Sequence, residues 1–541
     1  TDNPIEWFEQ YRVKFSKTHR EWAKKAVNTL PSEMTAPNPK AAAARYADAQ
    51  ETNEKYTDEA WAKLSPRDHS LHQRAFTTNA GDPAYRELAT LRYRDGNTER
   101  ELKVPKGDVL YQFREDVKSG NLPAVSWIVP PENFSDHPGA PWYGAWMVSE
   151  VMNILTQNPE VWKKTIFILT YDENDGYFDH VVPFGSPDPA RPETGKVASG
   201  IDAALEYWPL ERDRQHASPK DARGGSIGLG FRVPMVIASP WSRGGYVCSQ
   251  VFDHTSVVRL LENLLSHRTG KPIRETNISA WRRAVCGDLS STFQPALASN
   301  QAATEAKLIF PSRDAVIEGI HKAKFRELPS GYRKLSAADI AQYRKFMPKQ
   351  EPGTRLSLPL PYELYASGRL SADGRSVEIS MEARKGVGSA FHVYEPGKSG
   401  SRAYAMKAGQ KLTDAIPVEG SAYRLRVCGP NGFLRELAGG AGDPAVDVDC
   451  EYLASGDLDL VLTNRDSKQS HDLRIVDHSY GTGTRSVFLK AGEKRTVTLP
   501  LAKSFSWYDF SVTAGRLERR CAGRVETGKP GQSDPAMSGH A

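Results

Sequence analysis

The segment Thr170–His180, TYDENDGYFDH, gathers more oxygen and imidazole chemistry than any other stretch of the chain. Asp172, Glu173, Asn174 and Asp175 stand together, closed by Gly176, and Asp179-His180 follow. Adjacent carboxylates at the end of a rigid element suit a hard divalent cation, and a nearby histidine suits phosphate contact or proton transfer. The competing reading is an acidic turn capped by glycine. A second cluster, Pro131–Pro138 (PENFSDHP), delivers Asp136 and His137 after another apolar run, and it too reads alternatively as a turn. A third, Ser226–Gly245, is glycine-rich and carries Arg232 and Arg243. It lacks the G-K-[ST] ending of a phosphate loop and any dinucleotide fingerprint, so its arginines either approach an anion or structure the loop. Asp253-His254 is open between capping a helix and serving a site. No G-x-S-x-G, H-E-x-x-H or EF-hand pattern is present.

Such groups need elements to hold them. Lys164–Tyr171 (KTIFILTY), Pro123–Pro130 (PAVSWIVP) and Val233–Ser239 (VPMVIAS) are short apolar runs that predict buried strands. Helices are expected over Glu6–Ser16, Arg20–Leu30 and the alanine-rich Ala41–Ala49, which packs little. Ala145–Thr156 places Trp146, Val148, Val151, Met152 and Leu155 at helical spacing, and Asp253 or Thr255 can cap a helix running to about Ser266. Strands alternating with amphipathic helices imply an α/β fold with a mostly parallel sheet flanked by helices, whose ligands bind beyond the carboxyl ends of the strands.

Past residue 350 a proline-rich linker leads into short alternating stretches broken by Gly and Asp, the pattern of an all-β region. Ala408-Gly409-Gln410-Lys411 and Ala491-Gly492-Glu493-Lys494 recur 83 residues apart, each followed by a strand. That period fits two tandem all-β sandwich modules of nearly immunoglobulin-like size. The expected division is an α/β region over 1–348, modules over 355–440 and 445–525, and a flexible tail over 526–541.

Composition narrows the classes. With 541 residues, 39% hydrophobic, 25% charged and a net charge of +5, the chain is an ordinary globular one, too weakly basic to argue for nucleic acid. No apolar stretch approaches the length of a spanning helix, and the opening TDNPIEWFEQYRVKF has no signal-peptide pattern. Five widely spaced cysteines contain no C-x-x-C; Cys248 could pair with Cys286, and any two of Cys428, Cys450 and Cys521 with each other.

ENFSDHPG, TYDENDGYFDHV, RVPMVIASPWSRGG and VFDHTSVVRLLE, in this order, resemble the bacterial non-specific, phosphatidylcholine-hydrolysing phospholipase C family, related to acid phosphatases of the alkaline-phosphatase-like superfamily. The resemblance covers essentially the whole chain, since the family also carries paired C-terminal β domains. It implies a phosphoesterase catalytic domain over 1–348 acting on phospholipid at a membrane surface, giving diacylglycerol and a phosphorylated head group. It further implies a covalent phosphoryl-enzyme beside one divalent metal ion of open identity, and a secreted or periplasmic location. Carried over residue by residue, Asp172 and Glu173 match the metal-binding acidic pair, His137 faces the phosphate, and His180 is a second catalytic candidate. Asp136 is a substrate-binding candidate. A choline head group would also draw on aromatic faces, for which Trp142, Tyr143 and Tyr177 lie in the motif loops.

One departure stands against this match. The family's E-N-x-S-F-D-type motif and its Thr or Ser nucleophile lie upstream of a segment resembling TDNPIEWFEQYR, where this chain begins; Glu132-Asn133 echoes that motif without the S-F-D. The chain therefore looks like the C-terminal three-quarters of such an enzyme, with the nucleophile expected upstream of Thr1 on a missing segment or a separate chain. Thr156, in a helix, and Thr170, in a strand, look unavailable for attack. The alternatives are a related phosphomonoesterase and a non-catalytic membrane- or partner-binding fragment.

Overall fold

The structure is a computed structural model that describes Phe15 and residues 17–33, 39–75, 78–135, 141–176, 181–215, 217–294, 312–323, 334–343 and 352–537. The chain divides into two units, Thr1–Thr165 with Thr304–Lys334, and Ile166–Ala303 with Leu335–Ala541. Among the described residues no helix is long and apolar enough to cross a membrane.

In the first unit, helices Lys17–Glu33 and Pro39–Lys55 pack through Ala23, Ala26 and Ala49, with Trp22, Val27 and Tyr46 alongside. The alanine-rich segment is thus a contact surface, because small side chains let two helix axes approach. Strands Leu88–Asp95 and Thr98–Pro105 form a hairpin turning at Gly96-Asn97, where Gly96 takes φ +58°, the positive φ such two-residue turns require. Helix Pro141–Thr156 buries Trp146, Met147, Val151, Ile154 and Leu155. Arg114, on helix Tyr111–Ser119, reaches Glu150 of that helix and Asp108 at 2.8 Å each. Pro123–Pro130 corrects the expectation of a buried strand: it pairs with no strand among the described residues and leaves Val125 49% and Trp127 52% exposed. β-propensity forms no strand unless a neighbour takes up the backbone N–H and C=O groups, and prolines at both ends remove donors.

The second unit contains the other two expected strands, Phe167–Thr170 and Met235–Ala238, but their pairing is antiparallel, with Phe167 opposite Ala238 and Thr170 opposite Met235. The mixed α/β character holds, while the parallel sheet expected around these strands is corrected. A parallel pair needs a crossover connection, usually a helix. The only α-helix described between these strands is the four-residue Leu210–Asp213.

From Leu356 onward the structure is strand-rich and internally duplicated. Strands Tyr362–Leu370, Ser376–Gly386 and Gln410–Pro417 form one sheet, facing the row Arg402–Met406, Ser389–Tyr394, Ala422–Cys428 and Leu434–Gly440. The same order recurs as Val446–Tyr452, Leu458–Asn464 and Lys494–Leu499, with the row Thr484–Leu489, His471–Asp477, Trp507–Ala514 and Leu517–Arg524. The repeated A-G-[QE]-K marks one turn in both halves, with Gly409 at φ +76° and Gly492 at φ +71° entering the third strand of each small sheet. Each half has its own apolar core, one around Ile379, Met381, Phe391 and Tyr404, the other around Leu458, Leu460, Leu462 and Val512. Their last strands pair antiparallel, Arg435 opposite Cys521 and Leu437 opposite Arg519. The two four-stranded rows therefore fuse, and Gly195–Val197 adds in parallel beside Arg402–Met406 to make nine strands. Gly195 is required there, since a Cβ would lie 1.9 Å from the Ala403 carbonyl oxygen.

The flexible tail expected from 526 is corrected as far as Met537. Gly531–Gln532 pairs with Leu356–Ser357, Trp507 Nε1 donates to the Gln532 carbonyl at 3.0 Å, and the Tyr480 hydroxyl donates to Asp534 at 2.9 Å. Backbone pairing and side-chain bonds hold this segment despite its Gly/Pro/Ser composition. All five cysteines are free thiols.

His392, buried on Ser389–Tyr394, joins the first β module to the segment after the acidic motif. The Gly185 N–H donates to its Nε2 at 3.2 Å, its Nδ1 meets the Tyr394 hydroxyl at 3.2 Å, and Phe184 packs edge-on at 5.3 Å. Burial pushes its pKa down to about 4. The unfolded chain, titrating near the ordinary value of about 6.5, then binds more protons between those values, so stability rises with pH across that window. His392 should thus cost about 3 kcal/mol of stability as pH falls from about 6.5 to 4. Urea denaturation of wild type and His392→Asn across this range should show a shallower acid loss in the variant.

Candidate functional site

The strand Phe167–Thr170 ends at Tyr171, and the chain turns at once through Asp172–Gly176. Asp172 Oδ1 accepts the Glu173 N–H at 3.1 Å, and Asn174 Oδ1 accepts the Gly176 N–H at 3.3 Å, with Gly176 at φ +84°. Local bonds of this kind explain why the acidic run forms a turn. The Asp172 and Glu173 side chains are exposed. They offer two hard oxygen donors in sequence at a strand exit, a fit in donor type to a divalent cation. Among the described residues they belong to no group of three or more His, Cys, Asp or Glu side chains able to hold one, so the fit is partial.

A residue whose role sequence left open sits directly behind this turn. His254 Nε2 lies 2.8 Å from the Tyr171 carbonyl oxygen; a carbonyl only accepts, so the proton is on Nε2. Its neighbour Asp253 is the helix cap, closing a capping box with Ser256 at the start of His254–Thr269. The other Asp253 oxygen accepts from Arg282 Nη1 at 2.7 Å. Arg282 Nη2 reaches Glu206 at 2.9 Å and the Gly228 carbonyl at 2.8 Å, and Ser279 donates to Glu206 at 2.5 Å. Glu206, 3% exposed, is thereby satisfied on both oxygens. This bracket went unread in the sequence; its one legible signal is the cap spacing of Asp253 and Ser256.

Trp142 and Tyr143 begin helix Pro141–Thr156 in the first unit. Trp142 is 67% exposed, while Tyr143 is half-buried with its ring 5.8 Å from Phe134, and burial pushes its hydroxyl pKa up. Asp136, His137, Tyr177 and His180 lie outside the described residues. Thr156 donates its hydroxyl to the Met152 carbonyl at 2.8 Å, and the half-buried Thr170 hydroxyl reaches the Tyr171 carbonyl at 3.4 Å.

Both parts of the chain are similar to known proteins. Residues 68–266 match the Phosphoesterase family, and residues 356–440 and 444–524 each match the bacterial phospholipase C, C-terminal domain. The chain thus combines a region matching a phosphoesterase model with two regions matching a phospholipase C C-terminal domain. The non-hemolytic phospholipase C of Burkholderia pseudomallei is 37% identical over 453 residues, covering 80% of this chain and 60% of that protein. The non-hemolytic enzyme of Pseudomonas aeruginosa is 39% identical over 443 residues, 79% of this chain and 60% of its own length. The hemolytic phospholipase C of the same organism is 34% identical over 460 residues, with 79% and 59% covered. The chain is similar to these bacterial phospholipases C over about four-fifths of its length and spans about 60% of theirs.

The acidic turn and the buried bracket should respond differently to mutation. Asp172→Ala and Glu173→Ala remove exposed groups with local bonds and should change stability by no more than about 0.5 kcal/mol. Arg282→Leu strands two carboxylates and should cost about 3–5 kcal/mol. Denaturant midpoints of the three variants check both expectations.

Proposed function

We propose that the protein is a phosphoric diester hydrolase, a phospholipase C that cleaves phosphatidylcholine-type lipids, sphingomyelin among them, at a membrane surface. The products from phosphatidylcholine are diacylglycerol and a phosphorylated head group. The observation that carries the reading is the acidic pair Asp172-Glu173 at a strand exit inside the phosphoesterase-matched region. Support also comes from the identity shared with relatives named phospholipase C over four-fifths of the chain. A secreted or periplasmic location accords with a lipid substrate.

Asp172 and Glu173 would hold one divalent cation together with further donors, and such an ion offsets phosphate charge and makes a hydroxyl nucleophile more acidic. His254 fixes the residue immediately before the pair through the Tyr171 carbonyl. His137 and His180 are assigned to phosphate contact and to protonation of the leaving alkoxide, and Asp136 to substrate binding. Choline's quaternary ammonium has no N–H to donate, so aromatic faces are its natural partners, at about 0.5–2 kcal/mol each. Trp142, Tyr143 and Tyr177 are the candidates.

In the full-length protein, Asp172→Ala should abolish bound metal and diacylglycerol release from phosphatidylcholine vesicles. His137→Ala should slow release by about 10²–10⁴-fold. Full activity in Asp172→Ala would overturn the metal assignment, and faster turnover of p-nitrophenyl phosphate than of lipid would make the protein a phosphomonoesterase. Replacing all three aromatics should erase any preference for choline over ethanolamine lipids.

A further inference from the structure

A cleft of about 680 Å3 opens where the two β modules meet, with Arg435, Leu437, Arg519 and Cys521 among its lining. These four share one face of the fused sheet, since Arg435 stands opposite Cys521 and Leu437 opposite Arg519. Arg435 and Arg519 are equivalents under the internal duplication, each opening an Arg-x-x-Ala-Gly sequence on the last strand of its module. Their bonds are reciprocal. Arg435 donates to the Ala522 carbonyl and the Tyr508 hydroxyl of the second module, and Arg519 to the Ala438 carbonyl and the Tyr423 hydroxyl of the first.

The symmetry then breaks. Arg435 has a second hydroxyl, Tyr452 at 3.0 Å, and with the Leu434 carbonyl engages four N–H groups. Arg519 adds only the Glu518 carbonyl at 2.9 Å, which leaves two of its five guanidinium N–H groups without a protein partner among the described residues. Arg519 is 5% exposed and Arg435 3%, and neither has a carboxylate within ion-pair distance among the described residues. A buried, uncompensated cation is costly.

The acids around the cleft do not supply the missing charge. Glu378 pairs with Arg369, Asp414 with Lys196, Glu436 with Arg426 and Asp447 with Arg465. That leaves Lys411, Arg435 and Arg519 against Asp449 alone. Burial, together with the neighbouring Asp447 and Glu451 carboxylates, pushes the Asp449 pKa up, which weakens it as a counter-charge.

We infer that the cleft between the two C-terminal modules is a binding site for a phosphate-bearing anion, held by the free N–H groups of Arg519 and by Lys411. Lys411 and Arg519, cations left without an ion-pair partner among the described residues, suit a phosphate dianion, and the volume falls in the range of small-ligand sites. A guanidinium beside an ammonium is a common means of holding phosphate. The anion has two possible sources, a soluble phosphate ester or a lipid head group, and both present the same group.

Equilibrium dialysis of the full-length protein against radiolabelled inorganic phosphate at constant ionic strength tests the site. Saturable binding is expected, weakened by about tenfold or more in Lys411→Gln, a solvent-facing change that preserves the fold, and also in Arg519→Lys. Lys468→Gln, on an exposed turn outside the cleft lining, should bind as wild type does. Flotation with phosphatidylcholine vesicles, with and without phosphatidylglycerol, separates the sources: binding to the anionic vesicles that depends on Lys411 and Arg519 assigns the site to a lipid head group. Absence of binding to both probes, or binding unchanged in Lys411→Gln and Arg519→Lys alike, overturns the inference.

Discussion

The guanidinium of Arg282 lies between two carboxylates and a backbone carbonyl, and the α/β portion of the second unit is organised around it. Glu206 could not stay buried without it, because an unpaired carboxylate out of water costs several kcal/mol. With Arg282 in place, three chain segments become mutually fixed: the turn at Ala204–Glu206, the loop at Gly228 and the start of helix His254–Thr269. The last of these carries His254, whose bond to the Tyr171 carbonyl sets where the strand ends and the acidic turn begins. The exposed carboxylates thus rest on a buried, ion-paired frame. The side chains of the turn face solvent while its backbone start stays fixed.

The β modules solve a different problem. Each duplicated half would present an open sheet edge along its last strand, a place where further chains could add. Pairing Leu434–Gly440 with Leu517–Arg524 uses each edge to cover the other. At the far end of the first module, Gly195–Val197 lies along Arg402–Met406 and covers that edge too. Module fusion and attachment to the preceding segment are therefore one continuous backbone ladder, reinforced by the Gly185–His392 bond and by Gln410 Nε2 donating to the Ser199 carbonyl.

Much of this was legible in the sequence where local pattern and packing agree. The 83-residue recurrence reports the duplication because the same turn, with glycine at positive φ, is needed twice. The helix over Ala145–Thr156 and the strands at 167–170 and 235–238 were readable from apolar spacing. The hairpin at 88–105 went unread although its Asp-Gly-Asn turn is a recognised signal. Strand direction was not readable, because a run such as VPMVIAS carries no information about which way its partner runs. Nor was the Glu206–Arg282–Asp253 bracket, whose members are far apart in sequence and individually unremarkable in type. At the site, the acidic turn was visible as composition; the seat of His254 on Tyr171 depends on a contact across 83 residues.

Gly195–Val197 joining a sheet built from residues beyond 389 also orders events in time. During synthesis, the segment that follows the acidic motif has no ladder to enter until roughly 200 further residues have been made, as the 207-residue separation of Gly185 from His392 indicates. Closing so long a loop is entropically slow, and contacts of this separation form late. The segment from Val181 to Ile201 therefore waits for the first β module, and the nascent chain carries Phe184 and Ile201, which end up buried against Ala390 and Ala405, uncovered through that interval. A chain stalled or cut before residue 406 would leave this stretch without its sheet, a natural point for chaperone capture or proteolysis to act.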